Sequence, residues 1–84
     1  MYIVYVLQSL GNKQLYVGFT ENLDERFLAH NKGEVSSTKA YRPWECVFHE
    51  TYINKADALR REQYFKTTAG KRALKLMLYE TLRR

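Results

Sequence analysis

Runs of apolar residues bounded by polar turn residues predict three β-strands in this chain. Residues 2–8 (YIVYVLQ) and 14–19 (QLYVGF) are rich in β-branched and aromatic side chains, which are typical of strands. The turn-forming residues 9–13 (SLGNK) lie between them and predict an antiparallel hairpin. Gly18, near the end of the second strand, indicates a bulge or the close approach of another group. Residues 44–52 (WECVFHETY) form the third predicted strand.

Capping residues mark the predicted helices. Asn22 can cap the first helix together with Glu25 three positions on, because an N-cap side chain accepts hydrogen bonds from the first turn. Gly33 is well placed to end that helix, since glycine readily adopts the left-handed conformation found after a helix. Asn54 is predicted to cap the second helix, with Asp57 near its positive end.

A third helix is predicted over residues 71–82, after a break around residues 67–70. Four apolar side chains recur on it at helical spacing and are predicted to face the core: Leu74, Met77, Leu78 and Leu82. The polar segment 34–43 predicts a loop. The element order ββαβαα therefore predicts one α+β domain over residues 1–84, a three-stranded antiparallel sheet flanked by helices.

The charge of the chain introduces nucleic acid as a candidate partner. Fourteen Lys and Arg residues face nine Asp and Glu residues, which gives a net charge of +5. Such an excess raises the local concentration of polyanions, of which nucleic acid is the commonest. Composition alone fits equally well a small basic protein without such a partner.

Other features exclude several classes of site. The single cysteine, Cys46, excludes an internal disulfide and cannot alone form a thiolate zinc site. No apolar run has membrane-spanning length, and the start of the chain does not resemble a signal peptide. A chain of 84 residues with 45% hydrophobic residues suffices for one modest core. We therefore expect a cytoplasmic domain that does not associate with a membrane.

An acidic side chain interrupts the apolar face of the second helix. At 100° per residue, Ala58, Leu59 and Phe65 share one stripe, and Glu62 falls in its middle. An unpaired carboxylate there loses solvation, at a cost on the order of several kcal/mol. A divalent cation would satisfy it, since Mg²⁺ and Mn²⁺ prefer hard oxygen ligands. A basic side chain would satisfy it equally well, the candidates being Arg26, Lys39 and Arg42.

Two pairs of residues elsewhere are candidates for catalysis but could equally be structural. Arg26 and His30 are four positions apart and share a face of the first helix, at the edge of its apolar stripe. An arginine that neutralises phosphate and a histidine that moves a proton fit phosphodiester chemistry, but a solvated helix flank has the same spacing. Tyr5 and Tyr16 lie on the two hairpin strands, where tyrosines also serve as packing residues with a polar tip.

Taken together, in this order and at these spacings, these residues resemble the GIY-YIG nuclease superfamily. The matching elements are Ile3-Val4-Tyr5, then Tyr16-Val17-Gly18 after ten intervening residues, Arg26 with His30, Arg42-Pro43-Trp44 and Ala58-Leu59-Arg60-Arg61-Glu62. The resemblance covers residues 2 to about 75 and is greatest to the small single-domain bacterial members, which are related to the nuclease domain of the excision-repair excinuclease. Ile3 stands where the signature has its first glycine, a position that supports the fold more than the chemistry.

The resemblance implies an endonuclease that hydrolyses DNA phosphodiester bonds with one divalent cation, Mg²⁺ or Mn²⁺. Glu62 would be the metal ligand, and Arg26 would stabilise the charge that develops on the phosphate. Tyr5, Tyr16 and His30 would orient and deprotonate the attacking water. The five side chains are expected to line one open concave surface.

DNA contacts are expected from three further cations. Lys39 and Arg42, in the polar loop, are candidate contacts to backbone phosphates. Arg60, beside Arg61 and off the apolar stripe, is either solvated or a third such contact. We expect a monomer without a small-molecule cofactor that acts in repair or processing on branched, single-stranded or damaged DNA. Tight sequence specificity is not expected, because so short a chain has little room for a base-reading module.

Two alternative functions remain open from the sequence. The first is a nucleic-acid-binding module that has the same fold but does not cleave. The second is a structural or partner-binding domain, in which Glu62 belongs to an ion pair in the core.

Overall fold

The computed structural model describes residues 1–84 and contains one three-stranded antiparallel sheet. Strand β1 (Tyr2–Ser9) is central, between β2 (Leu15–Thr20) and β3 (Trp44–Tyr52), so the strand order is β2-β1-β3. The predicted strands are confirmed to within one residue at every end. The register of β1 against β3 shifts between Val6 and Leu7.

Helices cover both faces of this sheet. Helix α1 (Leu23–Lys32) follows the hairpin, and a short 3₁₀ helix (Lys39–Tyr41) lies within the predicted loop. Helices α2 (Lys55–Phe65), α3 (Thr68–Met77) and α4 (Tyr79–Leu82) follow β3. The α+β fold and the order ββαβαα are confirmed, with α4 as an additional short helix. None of these helices has the length and apolarity needed to cross a bilayer.

The predicted helix caps are confirmed. The Asn22 side chain accepts a hydrogen bond from the Glu25 amide, and the Asn54 side chain accepts one from the Ala56 amide. Gly33 ends α1 with a positive φ of 80°. These caps satisfy backbone donors and carbonyls that a helix end would otherwise leave free.

The bounds predicted for the third helix were wrong. Helix α3 begins at Thr68 because the Thr67 hydroxyl caps it, accepting a hydrogen bond from the Gly70 amide at 3.0 Å. Gly70 therefore lies in the first turn of α3, where a Cβ would be only 1.8 Å from the Tyr64 carbonyl oxygen. The glycine allows α3 to pack against the end of α2 and does not break the helix.

Successive side chains of β1 serve the two faces of the sheet. Val4 and Val6 are completely buried under α2 and α3, in a cluster with Phe65, Leu74 and other apolar residues. Tyr5 and Leu7 point to the other face and form a second cluster with Trp44, against which α1 packs. The sheet thus separates an apolar core from a layer that contains polar side chains.

Two residues predicted to be in the core are exposed. Leu59 on α2 is 37% exposed and Met77 at the end of α3 is 47% exposed. Ala58, Phe65, Leu74 and Leu78 are buried as predicted. The contact of each helix with the sheet is narrower than its apolar stripe, so residues at the edge of the stripe remain in solvent.

Candidate active site

Pairing of β1 with β2 places Tyr5 over Gly18. Tyr5 is opposite Gly18, and Leu7 is opposite Tyr16, so the two tyrosines share one face of the hairpin. Their ring centroids are 6.4 Å apart. A Cβ on Gly18 would lie 2.4 Å from the Tyr5 hydroxyl oxygen, so the close approach predicted at this glycine is confirmed.

His30 on α1 meets the Tyr5 hydroxyl inside this layer. The distance from Tyr5 Oη to His30 Nε2 is 2.7 Å, and neither side chain has more than 1% of its surface exposed. The other ring nitrogen, Nδ1, is 2.7 Å from the Thr38 hydroxyl oxygen. Both nitrogens of the buried imidazole therefore have partners.

The partners of Thr38 determine which ring nitrogen carries the proton. The Thr38 hydroxyl donates to the Val35 carbonyl at 3.3 Å, so its oxygen is left to accept from His30 Nδ1–H. Nε2 then has a free lone pair and accepts the Tyr5 hydroxyl proton. The geometry thus assigns the direction of both hydrogen bonds.

Burial keeps both groups of the pair neutral near pH 7. Desolvation, with a smaller contribution from the Arg26 charge, lowers the pKa of His30 to about 4. Desolvation raises the pKa of Tyr5 to about 12, and contact with Arg26 opposes this rise. Tyr5 is therefore not an ionised base in the resting protein, and any proton that it accepts must be matched by one that it gives to His30.

Arg26 supplies an uncompensated positive charge beside this pair. Its guanidinium lies next to the Tyr5 and Tyr16 hydroxyls, and hydrogen bonding to Tyr5 raises the pKa of Arg26. It forms a salt bridge with no carboxylate, whereas Arg60 and Arg61 both do. Arg26 is also exposed, so it is available to an anion from solvent.

Glu62 lies on α2 and is paired within that helix. Burial is the main cause of the raised pKa of Tyr5, and the negative charge of Glu62 adds least to it. Its side chain is only 14% exposed, and Oε2 accepts a hydrogen bond from Lys66 Nζ at 3.2 Å. The cationic partner is thus Lys66, four residues on along α2, and none of the candidates Arg26, Lys39 and Arg42.

Glu62 is the one carboxylate of the cluster, so it fits only a cation that keeps much of its water. The chain contains no group of three or more His, Cys, Asp or Glu side chains that could hold a metal ion. Glu62 would be the single protein ligand, and Mg²⁺ commonly takes one or two carboxylates with waters and substrate phosphates. Lys66 is 46% exposed, so it can move into solvent and free the carboxylate.

The cluster is less open than expected. Tyr5 and His30 are sealed from solvent, whereas Tyr16 and Glu62 are partly exposed and Arg26 is exposed. The grooves of the surface lie elsewhere and include none of these five residues. The expectation of one open concave surface was therefore wrong, because the Tyr5–His30 hydrogen bond is formed within a packed layer.

The structure separates the three candidate DNA contacts. Thr38, the partner of His30, immediately precedes Lys39, so the 3₁₀ helix that carries Lys39 is attached to the site. Arg42 donates to the Lys39 carbonyl at 2.9 Å, and its guanidinium packs over Gly33. Arg60 pairs with Asp57 in a separate groove and is not brought to the cluster.

Thr38 and Asn31 are structurally important for the site but were not singled out from the sequence. The Asn31 side chain accepts from the Trp44 amide at 2.7 Å and donates to the Trp44 carbonyl at 3.0 Å, which fastens the end of α1 to the start of β3. The Trp44 indole donates to the Thr38 carbonyl at 2.8 Å. The one available signal was that a buried histidine needs partners for both ring nitrogens.

Comparison with known proteins places this cluster in a family. A family model described as the GIY-YIG catalytic domain matches residues 1–75. A UPF0213 protein of Staphylococcus epidermidis is 35% identical over 77 residues, which cover 90% of this chain and 93% of that protein. A UPF0213 protein of Bacillus pumilus is 38% identical over 69 residues, covering 81% of this chain and 69% of that protein.

The fold also matches an experimental structure. The solution NMR structure of a UPF0213 protein from Bacillus halodurans aligns with a TM-score of 0.57 and 26% sequence identity, covering 92% of this chain and 85% of that one. The family predicted from the sequence is thereby confirmed. Because the matching model spans nearly the whole chain and all five residues of the cluster, this chain belongs to the GIY-YIG nuclease family.

Proposed function

We propose that this chain hydrolyses DNA phosphodiester bonds with one divalent cation, Mg²⁺ or Mn²⁺. The observation that carries the proposal is the hydrogen bond from Tyr5 to His30 beside Arg26, an arginine without an acidic partner. A proton acceptor and an anion-binding group thus lie side by side, as attack of water on a phosphodiester requires. The positive net charge of the chain favours the approach of DNA.

The Tyr5–His30 pair supports a path for the proton of the attacking water. Water gives a proton to Tyr5 Oη while Tyr5 passes its hydroxyl proton to His30 Nε2, so a free phenolate never has to form. Burial is the main cause of the lowered pKa of His30, and the Arg26 charge adds to it. A phosphate bound to Arg26 would offset only this second, smaller contribution.

Arg26 and Tyr16 supply the exposed part of the site. Arg26 binds a phosphate oxygen and stabilises the negative charge that grows during attack. Because Tyr5 is buried, its hydroxyl can take a proton from water only when the side chains around it move apart. Tyr16 is partly exposed beside it and orients the water.

Glu62 is the residue that would hold the cation, once Lys66 has turned into solvent. A divalent cation bound there would polarise the phosphate and stabilise the leaving oxygen. A domain of this size has little room for a base-reading module, which favours structure-directed cleavage of branched, single-stranded or damaged DNA over sequence-specific cleavage. A monomer and a role in repair or processing complete the proposal.

The test is cleavage of a panel of DNA structures with Mg²⁺ or Mn²⁺. Glu62→Gln and Arg26→Ala are expected to lower the rate at least about 100-fold, the usual scale for losing a group that stabilises developing charge. Glu21→Gln is the matched control, because Glu21 is an exposed carboxylate outside the cluster and its substitution removes the same charge. Equal rates for Glu62→Gln and Glu21→Gln would refute the assignment of Glu62.

A nucleic-acid-binding module that does not cleave is the second candidate. Lys66 already satisfies the Glu62 carboxylate without a metal, which favours a domain that does not cleave, whether it binds nucleic acid or is the structural or partner-binding domain. In that case no DNA structure is cut by the wild type with either metal, and DNA binding persists in Glu62→Gln.

A further inference from the structure

A groove on the other face of the sheet carries three cations and no carboxylate in its lining. It lies between the hairpin turn, which contributes Lys13, and the C-terminal helices, which contribute Lys75 and Arg83. Leu15 and Leu82 form its apolar floor and pack against the core under α2 and α3. The Tyr5–His30 pair lies on the opposite face, so this groove is distinct from the candidate active site.

The positive charge of the groove is available to an anion. Lys13 and Lys75 form no salt bridge. Arg83 pairs with Glu80 at 2.9 Å, but the two side chains are 61% and 77% exposed. An exposed pair of this kind contributes little stability and exchanges easily for a phosphate.

An aromatic ring lies among these cations. Tyr79 lines the groove, is 57% exposed, and has the Arg83 guanidinium carbon 5.2 Å from its ring centroid. An exposed ring between cations that track a phosphate backbone is the arrangement that binds single-stranded nucleic acid, because an unpaired base can stack on the ring. Paired bases within a duplex present no free face to it.

We propose that this groove binds a single-stranded segment of nucleic acid. Phosphates lie at Lys13, Lys75 and Arg83, and one base stacks on Tyr79. Tyr79 and Arg83 follow the residues 1–75 that match the family model, so the groove combines the family domain with a C-terminal segment outside the match.

The edge strand β2 connects the groove to the candidate active site. Leu15 and Tyr16 are consecutive on β2 and point to opposite faces of the sheet. A single strand that crosses this edge contacts both surfaces, so the groove holds the flank of a strand whose phosphodiester lies at Arg26. This last step rests on the proposed nuclease function, whereas binding in the groove does not.

Binding is measured by fluorescence anisotropy with a labelled oligothymidine of about 12 nucleotides, a length within the usual site sizes, in EDTA so that cleavage plays no part. The test variant is Lys75→Gln with Arg83→Gln. The matched control is Lys32→Gln with Lys55→Gln, two lysines outside the groove. Each double variant loses two positive charges, so the net charge falls from +5 to +3 in both.

The salt dependence of binding distinguishes local contacts from net charge. Each phosphate contact to a single strand contributes about 0.7 to the slope of log affinity against log salt, so losing two contacts should lower the slope by about 1.4. The control should keep the wild-type slope. Equal slopes for the two double variants would overturn the proposal.

Tyr79 supplies a second readout that involves no charge. Tyr79→Ala should weaken binding of the oligothymidine about tenfold, and Tyr79→Phe should keep it, because stacking needs the ring and not the hydroxyl. Equal affinities for the alanine and phenylalanine variants would contradict a stacked base. A wild type that cuts no DNA but shows these slope and Tyr79 effects would refute the nuclease function and support the groove.

Discussion

Lowering the pH from 7 to 5 is expected to destabilise the fold through His30. The buried imidazole has a pKa of about 4, against the ordinary value of 6.5. Between these values the unfolded chain binds a proton that the folded chain does not, so unfolding becomes more favourable as the pH falls. The contribution of neutral His30 is thus present above about pH 6.5 and is lost on the way to pH 4.

The expected size follows from the two pKa values. The unfolded histidine is almost fully protonated at pH 5 and the folded one almost fully neutral, which amounts to about 2 kcal/mol between pH 7 and pH 5. This is a large part of the stability of a small domain, which is about 5–10 kcal/mol. Urea unfolding measures it through the fluorescence of Trp44, the only tryptophan, which is buried and donates to Thr38.

The controls separate His30 from other groups that titrate in acid. His30→Gln should remove about 2 kcal/mol of the difference between pH 7 and pH 5, whatever its effect on stability at pH 7. His49→Gln is the matched control, because it removes an exposed histidine outside the site. The same pH dependence in His30→Gln as in the wild type would show that His30 does not cause the loss of stability. A His30 ring that titrates in NMR near 6.5 would show the same.

Two further predictions concern the neighbours of the Tyr5–His30 hydrogen bond. Thr38→Val should cost about 1–3 kcal/mol in urea unfolding, because it leaves a buried ring nitrogen without a partner; Thr38→Ser should keep the wild-type stability, and an Nε2–H ring seen by ¹⁵N NMR in the wild type would contradict the assigned hydrogen-bond directions. Gly18→Ala should cost about 1–3 kcal/mol by overpacking, because its Cβ would lie 2.4 Å from Tyr5 Oη; wild-type stability in that variant would show that the contact is not tight.

Local rules made much of the fold predictable. Asn22, Gly33 and Asn54 were identified as caps because capping depends on residues within one turn. Gly18 was identified as a point of close approach because a glycine within a strand often marks a place where another group comes near the backbone. The carboxylate predicted to interrupt the apolar stripe of α2 is only 14% exposed in the structure, and Lys66 is its partner.

The features that sequence reasoning missed depend on distant contacts or on competing local ones. Thr38 bonds to a histidine eight residues earlier across a turn whose path no periodic pattern reports. Lys66 was missed for a different reason. Its i,i+4 spacing from Glu62 is visible in the sequence, but the spacing alone does not tell whether Glu62 pairs with Lys66 or with a basic residue farther along the chain. Leu59 and Met77 have the right periodicity, but their exposure depends on how wide a contact each helix makes with the sheet.

The attachment of α1 determines how robust the site is. Arg26 and His30 both belong to this helix, yet His30 is its only buried residue. Its apolar side chains are only partly buried against the second cluster, and polar contacts fasten it further, through His30 to Tyr5 and Thr38 and through Asn31 to Trp44. The sheet, by contrast, is held to α2 and α3 by a buried apolar cluster.

We therefore expect helix α1 to open as a separate cooperative unit, with a smaller free energy than global unfolding. Its amide hydrogens should exchange with solvent through partial openings, while those of the central strand exchange only when the whole chain unfolds. A mild denaturant or a moderate rise in temperature would then dismantle the site while the sheet remains intact.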